Sequence, residues 1–183
     1  MGIFVTVGTG KFDALIKEVD RLAPKLKTPI TMQIGSGDYK PLNCKWFRFA
    51  PNLEKYYKQA NLIIAHGGTG TTFELLAMHK KLISCANKER NDLHQVEFLE
   101  ALSKESGSFI YCKDIGNLSK SIQKVKKVRL KKYDKPACYM DREIHKLLNA
   151  KCRRSKMYLI RNVLVSYFTL AKIVLKSGSK NES

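Results

Sequence analysis

The chain has 183 residues, 44% of them hydrophobic, which is enough for one ordinary domain with a real core and room for an appendage. Its formal net charge of +18 is unevenly spread: residues 1–120 hold 17 Lys/Arg against 12 Asp/Glu, and residues 121–183 hold 17 against 4. The five cysteines (Cys44, Cys85, Cys112, Cys138, Cys152) fall in no CxxC or Cys/His metal spacing and read as reduced thiols of a cytosolic protein, so neither a disulfide framework nor a zinc module is expected.

Met1 leads directly into strand-like IFVTV, and no signal peptide is expected before the fold. Residues 3–7 read as a strand ending at Gly8-Thr9-Gly10. Residues 12–22 follow with apolar positions at Phe12, Leu15, Ile16, Val19 and Leu22, a helical period. A second strand, 29–34, closes on the turn Gly35-Ser36-Gly37-Asp38. A short strand at 46–49 precedes a helix opened by Pro51-Asn52 and running to Ala60. Then come a strand at 62–65, a helix at 71–78, a strand at 82–85, a helix at 93–102, a strand at 109–112 and a helix at 117–125. This alternation predicts an α/β domain over residues 1–125, a parallel sheet with helices on both faces and ligands at the carboxyl ends of its strands. The glycine turns after Val7 and after Ala65 fall at such ends.

From residue 126 the pattern changes. VKKVRLKKYDKP is a basic connector, and two helical stretches follow at 140–150 and 156–176. The second is very apolar but carries Arg161 and Lys172, with only ten residues between them, whereas a bilayer span needs about twenty. It is not expected to cross a membrane. With Lys151, Arg153, Arg154 and Lys156 before it, one reading is an interfacial helix at an anionic membrane surface. The other is a helix packed on the domain or on a partner. Nucleic acid is not expected as a partner, because the basic tail has no aromatic-rich stripe or known motif.

The densest chemistry lies between Leu62 and Gln95. An apolar run ends in His66-Gly67-Gly68-Thr69-Gly70, and a helix with Glu74 on its second turn follows at once. Strand, glycine turn and helix start in that order can cradle a phosphate group, since the backbone can approach it and the helix start presents free N–H groups. Structural turns of α/β proteins use glycine as well. The turn lacks the lysine of a Walker P-loop and the spacing of GxGxxG.

Four blocks in order, IFVTVGT with FDALIKEVD, MQIGSGDYKP, NLIIAHGGTGTTFELL and the later HQ, resemble the catalytic subunit of split GT-B glycosyltransferases. That group includes the PssE-type enzymes of bacterial polysaccharide assembly and the soluble subunit of the dolichol-pathway N-acetylglucosaminyltransferase; its domain is the C-terminal domain of glycosyltransferase family 28. The resemblance covers residues 1–125 and leaves the basic extension, 126–183, without a counterpart. It implies a Rossmann-like, nucleotide-sugar-binding half of a GT-B fold, completed by a small membrane-anchored subunit that binds a polyprenyl-linked saccharide acceptor. The implied place is the cytoplasmic face of a membrane, in peripheral contact.

By that resemblance, Glu74 takes the ribose hydroxyls of a UDP-sugar, a role that suits an acceptor-only carboxylate. Gly68, Thr69, Gly70 and Thr71 form the diphosphate turn, Thr9 faces the diphosphate from the first loop, and Gln95, after His94, meets the sugar hydroxyls. Phe49 and Ala50 lie in the segment whose backbone pairs with uracil, the Phe49 side chain being as well explained by packing. His66 reads equally as a ligand contact or as a strand-end structural hydrogen bond. The implied activity is inverting, metal-independent transfer of a hexose from the UDP-sugar, which is a substrate, with no cofactor; the chain has no DxD triad. The general base is not identified in this chain and is expected from the acceptor side. The alternative is a non-catalytic nucleotide-sugar-binding subunit that enhances a partner transferase. The polar segment NKERNDLHQ departs from the proline-led loop of relatives and leaves the donor sugar open.

Overall fold

The computed structural model describes residues 2–88 and 94–134. Its strands are β1 (Ile3–Thr6), β2 (Ile30–Gln33), β3 (Lys45–Phe47), β4 (Leu62–His66), β5 (Leu82–Cys85) and β6 (Ile110–Cys112). Its helices are α1 (Asp13–Leu26), α2 (Glu54–Gln59), α3 (Thr69–Ala77), α4 (His94–Ser106) and α5 (Leu118–Lys127). Each strand and helix expected between residues 3 and 125 is present.

The strands form one parallel sheet in the order β3-β2-β1-β4-β5-β6. Strands covered on both faces read as unbroken apolar runs, and the two faces take alternate residues. Ile3, Val5, Met32, Ile64, Ile83 and Cys85 face α1 and α5, meeting Leu15, Ile16, Val19, Leu118, Ile122 and Val125. Phe4, Ile63, Ala65 and Leu82 face the other side, meeting Tyr57, Leu75, Leu76 and Leu99 of α2, α3 and α4. Chain order runs outward in both directions from the β1/β4 pair, so the loops leaving these two strands diverge and open a crevice at their carboxyl ends.

Of the boundaries that differ from the sequence expectation, three have a local reason. The first helix continues through Pro24 to Leu26 rather than stopping at Leu22. Proline removes the N–H that would bond the Asp20 carbonyl, and the Asn43 side-chain amide donates to that carbonyl instead, at 3.3 Å. The helix α3 starts at Thr69, two residues early, because Gly68 supplies an extended N-cap and burial of Thr72, Leu75 and Leu76 outweighs the weak propensity of Thr-Gly-Thr-Thr. The helix α2 begins only at Glu54, after the Asn52 side-chain oxygen accepts the Glu54 N–H at 2.6 Å.

The Asp20 carboxylate organises the loop between β2 and β3. It is buried and accepts from the Leu42 N–H at 3.0 Å, the Asn43 N–H at 2.8 Å and the Tyr39 hydroxyl at 2.8 Å. Burial alone would raise its pKa, but these donors outweigh burial and hold it below the ordinary carboxylate value. The neighbouring Cys44 thiol is pushed up to about 12, by burial first and then by the Asp20 charge.

Residues 128–134, at the start of the expected basic extension, run back along the domain. Leu130 packs against the cluster shared by α1 and α5, the Lys131 N–H donates to the Gly107 carbonyl at 3.1 Å, and the Tyr133 ring lies 6.0 Å from that of Phe73 on α3. Among the described residues no helix is long and apolar enough to cross a membrane. The expected helices at 140–150 and 156–176 lie outside the described residues.

Candidate functional site

The crevice at the β1/β4 divergence is built around one side chain. His66, the last residue of β4, places its imidazole between the loop after β1 and the turn after β4. A Cβ at Gly8 would lie 2.7 Å from the imidazole Cε1, and Gly8 has φ +68, so this position requires glycine twice over. A Cβ at Gly68 would collide with the imidazole Nε2. The two glycine turns read separately in the sequence therefore close on the same ring.

Gly68 is also the N-cap of α3, and no side chain caps that helix end. The Thr72 N–H bonds the Gly68 carbonyl at 2.9 Å, so the amides of Thr69, Gly70 and Thr71 precede the first intrahelical bond and carry the positive end of the helix dipole. Thr69 and Gly70 are exposed, Thr71 is half-buried, and Glu74 is exposed one turn further on. Glu74 lies close enough to the buried Tyr57 of α2 to influence its phenol, which is pushed up to about 12 by burial first and the Glu74 charge second.

Gln95 sits in the first turn of α4, across the turn from α3. A Cβ at Gly67 would lie 3.2 Å from its Oε1, and that oxygen accepts the Asn87 N–H at 3.1 Å. The Asn87 side chain donates in turn to the Lys11 carbonyl at 2.7 Å. The loop after β5, the start of α4 and the loop after β1 are tied together by this one asparagine. His94 is exposed at the first position of α4, and residues 89–93 of the preceding polar segment lie outside the described residues.

The remaining expected residues flank the other side of the crevice. Thr9 is exposed in the loop after β1. Phe49 is 57% exposed, so it is not held by packing, and Ala50 beside it is half-buried. The structure therefore brings Thr9, His66, Gly68, Thr69, Gly70, Thr71, Gln95 and the Phe49-Ala50 segment to the carboxyl edge of β1, β3, β4 and β5, with Glu74 one helical turn below it.

Sequence reasoning missed the residues that hold these loops. The buried amide of Gln33 reaches two of them at once as well as Thr6 at the end of β1, and the Arg48 guanidinium bonds the carbonyls of Gly35 at 3.2 Å and Gly37 at 2.8 Å. A polar residue closing the otherwise apolar strand ITMQ was the available signal for Gln33. Lys11 pairs with Asp38 and lies 3.5 Å from Asp13; the hydrogen bond it donates to Asp38 raises its pKa. Among the described residues no three His, Cys, Asp or Glu are grouped to hold a metal ion. A separate cleft of about 590 Å³ lies at the opposite end of the sheet, lined by Lys80, Lys81 and the basic residues between Lys126 and Lys132. It contains none of the expected site residues.

Comparison with known proteins places this edge in context. The sequence profile of the glycosyltransferase family 28 C-terminal domain matches residues 2–150. The chain is 30% identical over 123 residues to the human UDP-N-acetylglucosamine transferase subunit ALG13, covering 60% of this chain and 11% of that protein. It is 30% identical over 101 residues to the Saccharomyces cerevisiae protein of the same name, covering 50% of each. The chain thus spans about a tenth of the human relative and half of the yeast one. In fold it is similar to Acinetobacter baumannii MurG, with a TM-score of 0.55 at 20% identity over 68% of this chain and 41% of that one. It is also similar in fold to the solution structure of ALG13, with a TM-score of 0.52 at 19% identity over 80% of this chain and 94% of that one.

Proposed function

The chain belongs to the family of the glycosyltransferase family 28 C-terminal domain, and from that premise we propose that it is the donor-binding catalytic subunit of a two-chain glycosyltransferase. It transfers a hexose from a UDP-sugar to a polyprenyl-linked saccharide during polysaccharide synthesis, with inversion and without a metal or cofactor. The acceptor is held by a small membrane-anchored partner, and the domain works at the cytoplasmic face of that membrane. The basic extension from residue 126 onward supplies peripheral contact with the anionic leaflet.

The observation that carries this reading is the meeting of both glycine turns on His66 at the β1/β4 divergence, with the N-cap of α3 against the same imidazole. A diphosphate seated there meets the unpaired amides at the start of α3 and the positive end of its dipole, which also stabilises UDP as it leaves. Glu74 takes the ribose hydroxyls and the backbone at Phe49-Ala50 the uracil. Gln95 orients the hexose, and the partner supplies the general base that deprotonates the acceptor hydroxyl.

Transfer of radiolabelled sugar from a panel of UDP-hexoses to a polyprenyl-diphosphate-linked acceptor, with the full chain and its membrane partner co-expressed, tests the proposal. Transfer that requires this chain and is lost in Glu74→Ala is the expected result. Full transfer with Glu74→Ala assigns the chain the accessory role instead.

A further inference from the structure

The side chain of Gln33 makes a contact set that its burial alone does not require. It closes β2, the strand between β1 and β3, and is 3% exposed. Its Oε1 accepts from the Thr6 hydroxyl at 2.6 Å, and its Nε2 donates to the Gly8 carbonyl at 2.5 Å and to the Arg48 carbonyl at 2.9 Å. Thr6 Oγ1 in turn accepts the Gly8 N–H at 3.3 Å. A carboxamide has two hydrogens to give, and both are used on carbonyls from two different loops. The two carbonyls fix which way the amide faces, because a flipped amide would set its oxygen against both.

Those carbonyls belong to the residues immediately before Thr9 and Phe49. The described peptides are trans, and a trans peptide points its C=O and N–H in opposite directions. A side chain that draws the Gly8 and Arg48 carbonyls into the sheet edge therefore turns the N–H groups of Thr9 and Phe49 outward, toward the crevice. The two donors come from loops on either side of β2, and one amide sets both.

We propose that Gln33 is a positioning residue for the nucleotide donor, holding the loop after β1 and the loop after β3 so that the Thr9 and Phe49 amides face the ligand together. The role rests on the donor-site reading above. Leucine at this position would fill the space but leave the Gly8 carbonyl without the amide donor and the Arg48 carbonyl with the Gly35 N–H alone. A glutamate would supply a donor only when protonated, and burial raises a carboxyl pKa toward neutrality.

The test is calorimetric titration of the full-length chain with UDP, alongside thermal unfolding. Gln33→Leu is expected to unfold cooperatively and to bind UDP at least about tenfold more weakly, as loss of two hydrogen bonds implies. For Gln33→Glu, affinity relative to wild type is expected to recover as pH is lowered from 8 to 6. A merely structural glutamine would not give that recovery. Folded Gln33→Leu that binds UDP as wild type does would overturn the role, and so would a Gln33→Glu ratio that is flat with pH. Should Gln33→Leu not fold, Thr6→Val decides: removing the hydroxyl that bonds both the amide oxygen and the Gly8 N–H is expected to weaken UDP severalfold, and unchanged affinity overturns the role. Wild-type chain that does not titrate with UDP at all overturns the donor-site reading itself, a separate outcome.

Discussion

The Asn87 backbone N–H bonds the side-chain oxygen of Gln95 at 3.1 Å, so the residue expected to meet the sugar is held by the loop that leaves β5. This anchoring fixes the amide of Gln95 beside Gly67 without using its whole hydrogen-bonding capacity.

Replacing Gln95 with alanine should leave UDP affinity nearly unchanged while UDP-hexose affinity and discrimination between hexoses both fall. Parallel calorimetric titrations with UDP and with UDP-glucose, UDP-galactose and UDP-GlcNAc check this. Equal losses for nucleotide and nucleotide-sugar would make Gln95 a loop anchor only.

Glu74→Ala should weaken UDP at least about tenfold, because a carboxylate accepting from two ribose hydroxyls makes charge-assisted bonds. Stability should scarcely change, since Glu74 is exposed. Unchanged UDP affinity in a folded variant removes the ribose assignment.

His66 and Gly68 should be energetically coupled. The N-cap Gly68 has φ −67, which alanine adopts without strain, so the cost of Gly68→Ala comes from collision of the new Cβ with the imidazole. That cost is expected to be about 1–3 kcal/mol in denaturant unfolding. The double variant His66→Ala/Gly68→Ala should recover most of it, whereas additive losses would place the strain elsewhere.

The Asp20 carboxylate gives a pH dependence of known sign. Its folded pKa lies below the ordinary aspartate value of 3.8, so its contribution is fully present above about pH 4 and is lost as pH falls through the lower, folded value. Wild-type stability should therefore drop on acidification below about pH 4 more steeply than that of Asp20→Asn. At neutral pH the variant should be less stable by about 1–3 kcal/mol, since the amide nitrogen takes the place of an oxygen that accepts one or two of the three donors. Parallel acid-unfolding curves for the two proteins would count against the assignment.

How much of this was readable in advance follows from where each residue finds its partners. The strands were legible because doubly buried parallel strands are continuous apolar runs, as IFVT, LIIAH and LISC are. The glycine turns, His66, Glu74 and Gln95 were legible as motif residues in sequence blocks. Gln33, Arg48 and Asn87 were not, since their roles depend on carbonyls far away in sequence. Gln33 reaches Gly8 across 25 positions, and Asn87 reaches Lys11 across 76. The start of α3 was misplaced because Thr69 and Gly70 read as turn until burial of Thr72 and Leu75 is known. The continuation of α1 past Pro24 depends on Asn43, which only the fold brings near.

The central claim is that a UDP-sugar binds at the carboxyl edge of β1 and β4 and not in the basic cleft at the other end of the sheet. Amide chemical-shift mapping of the full-length chain titrated with UDP tests it most directly. The account predicts shifts concentrated at Gly8, Thr9, Phe49, Gly68 to Thr71, Glu74 and Gln95, saturating together. Shifts confined to Lys80, Lys81 and residues 126–132, or none at millimolar UDP, would contradict it.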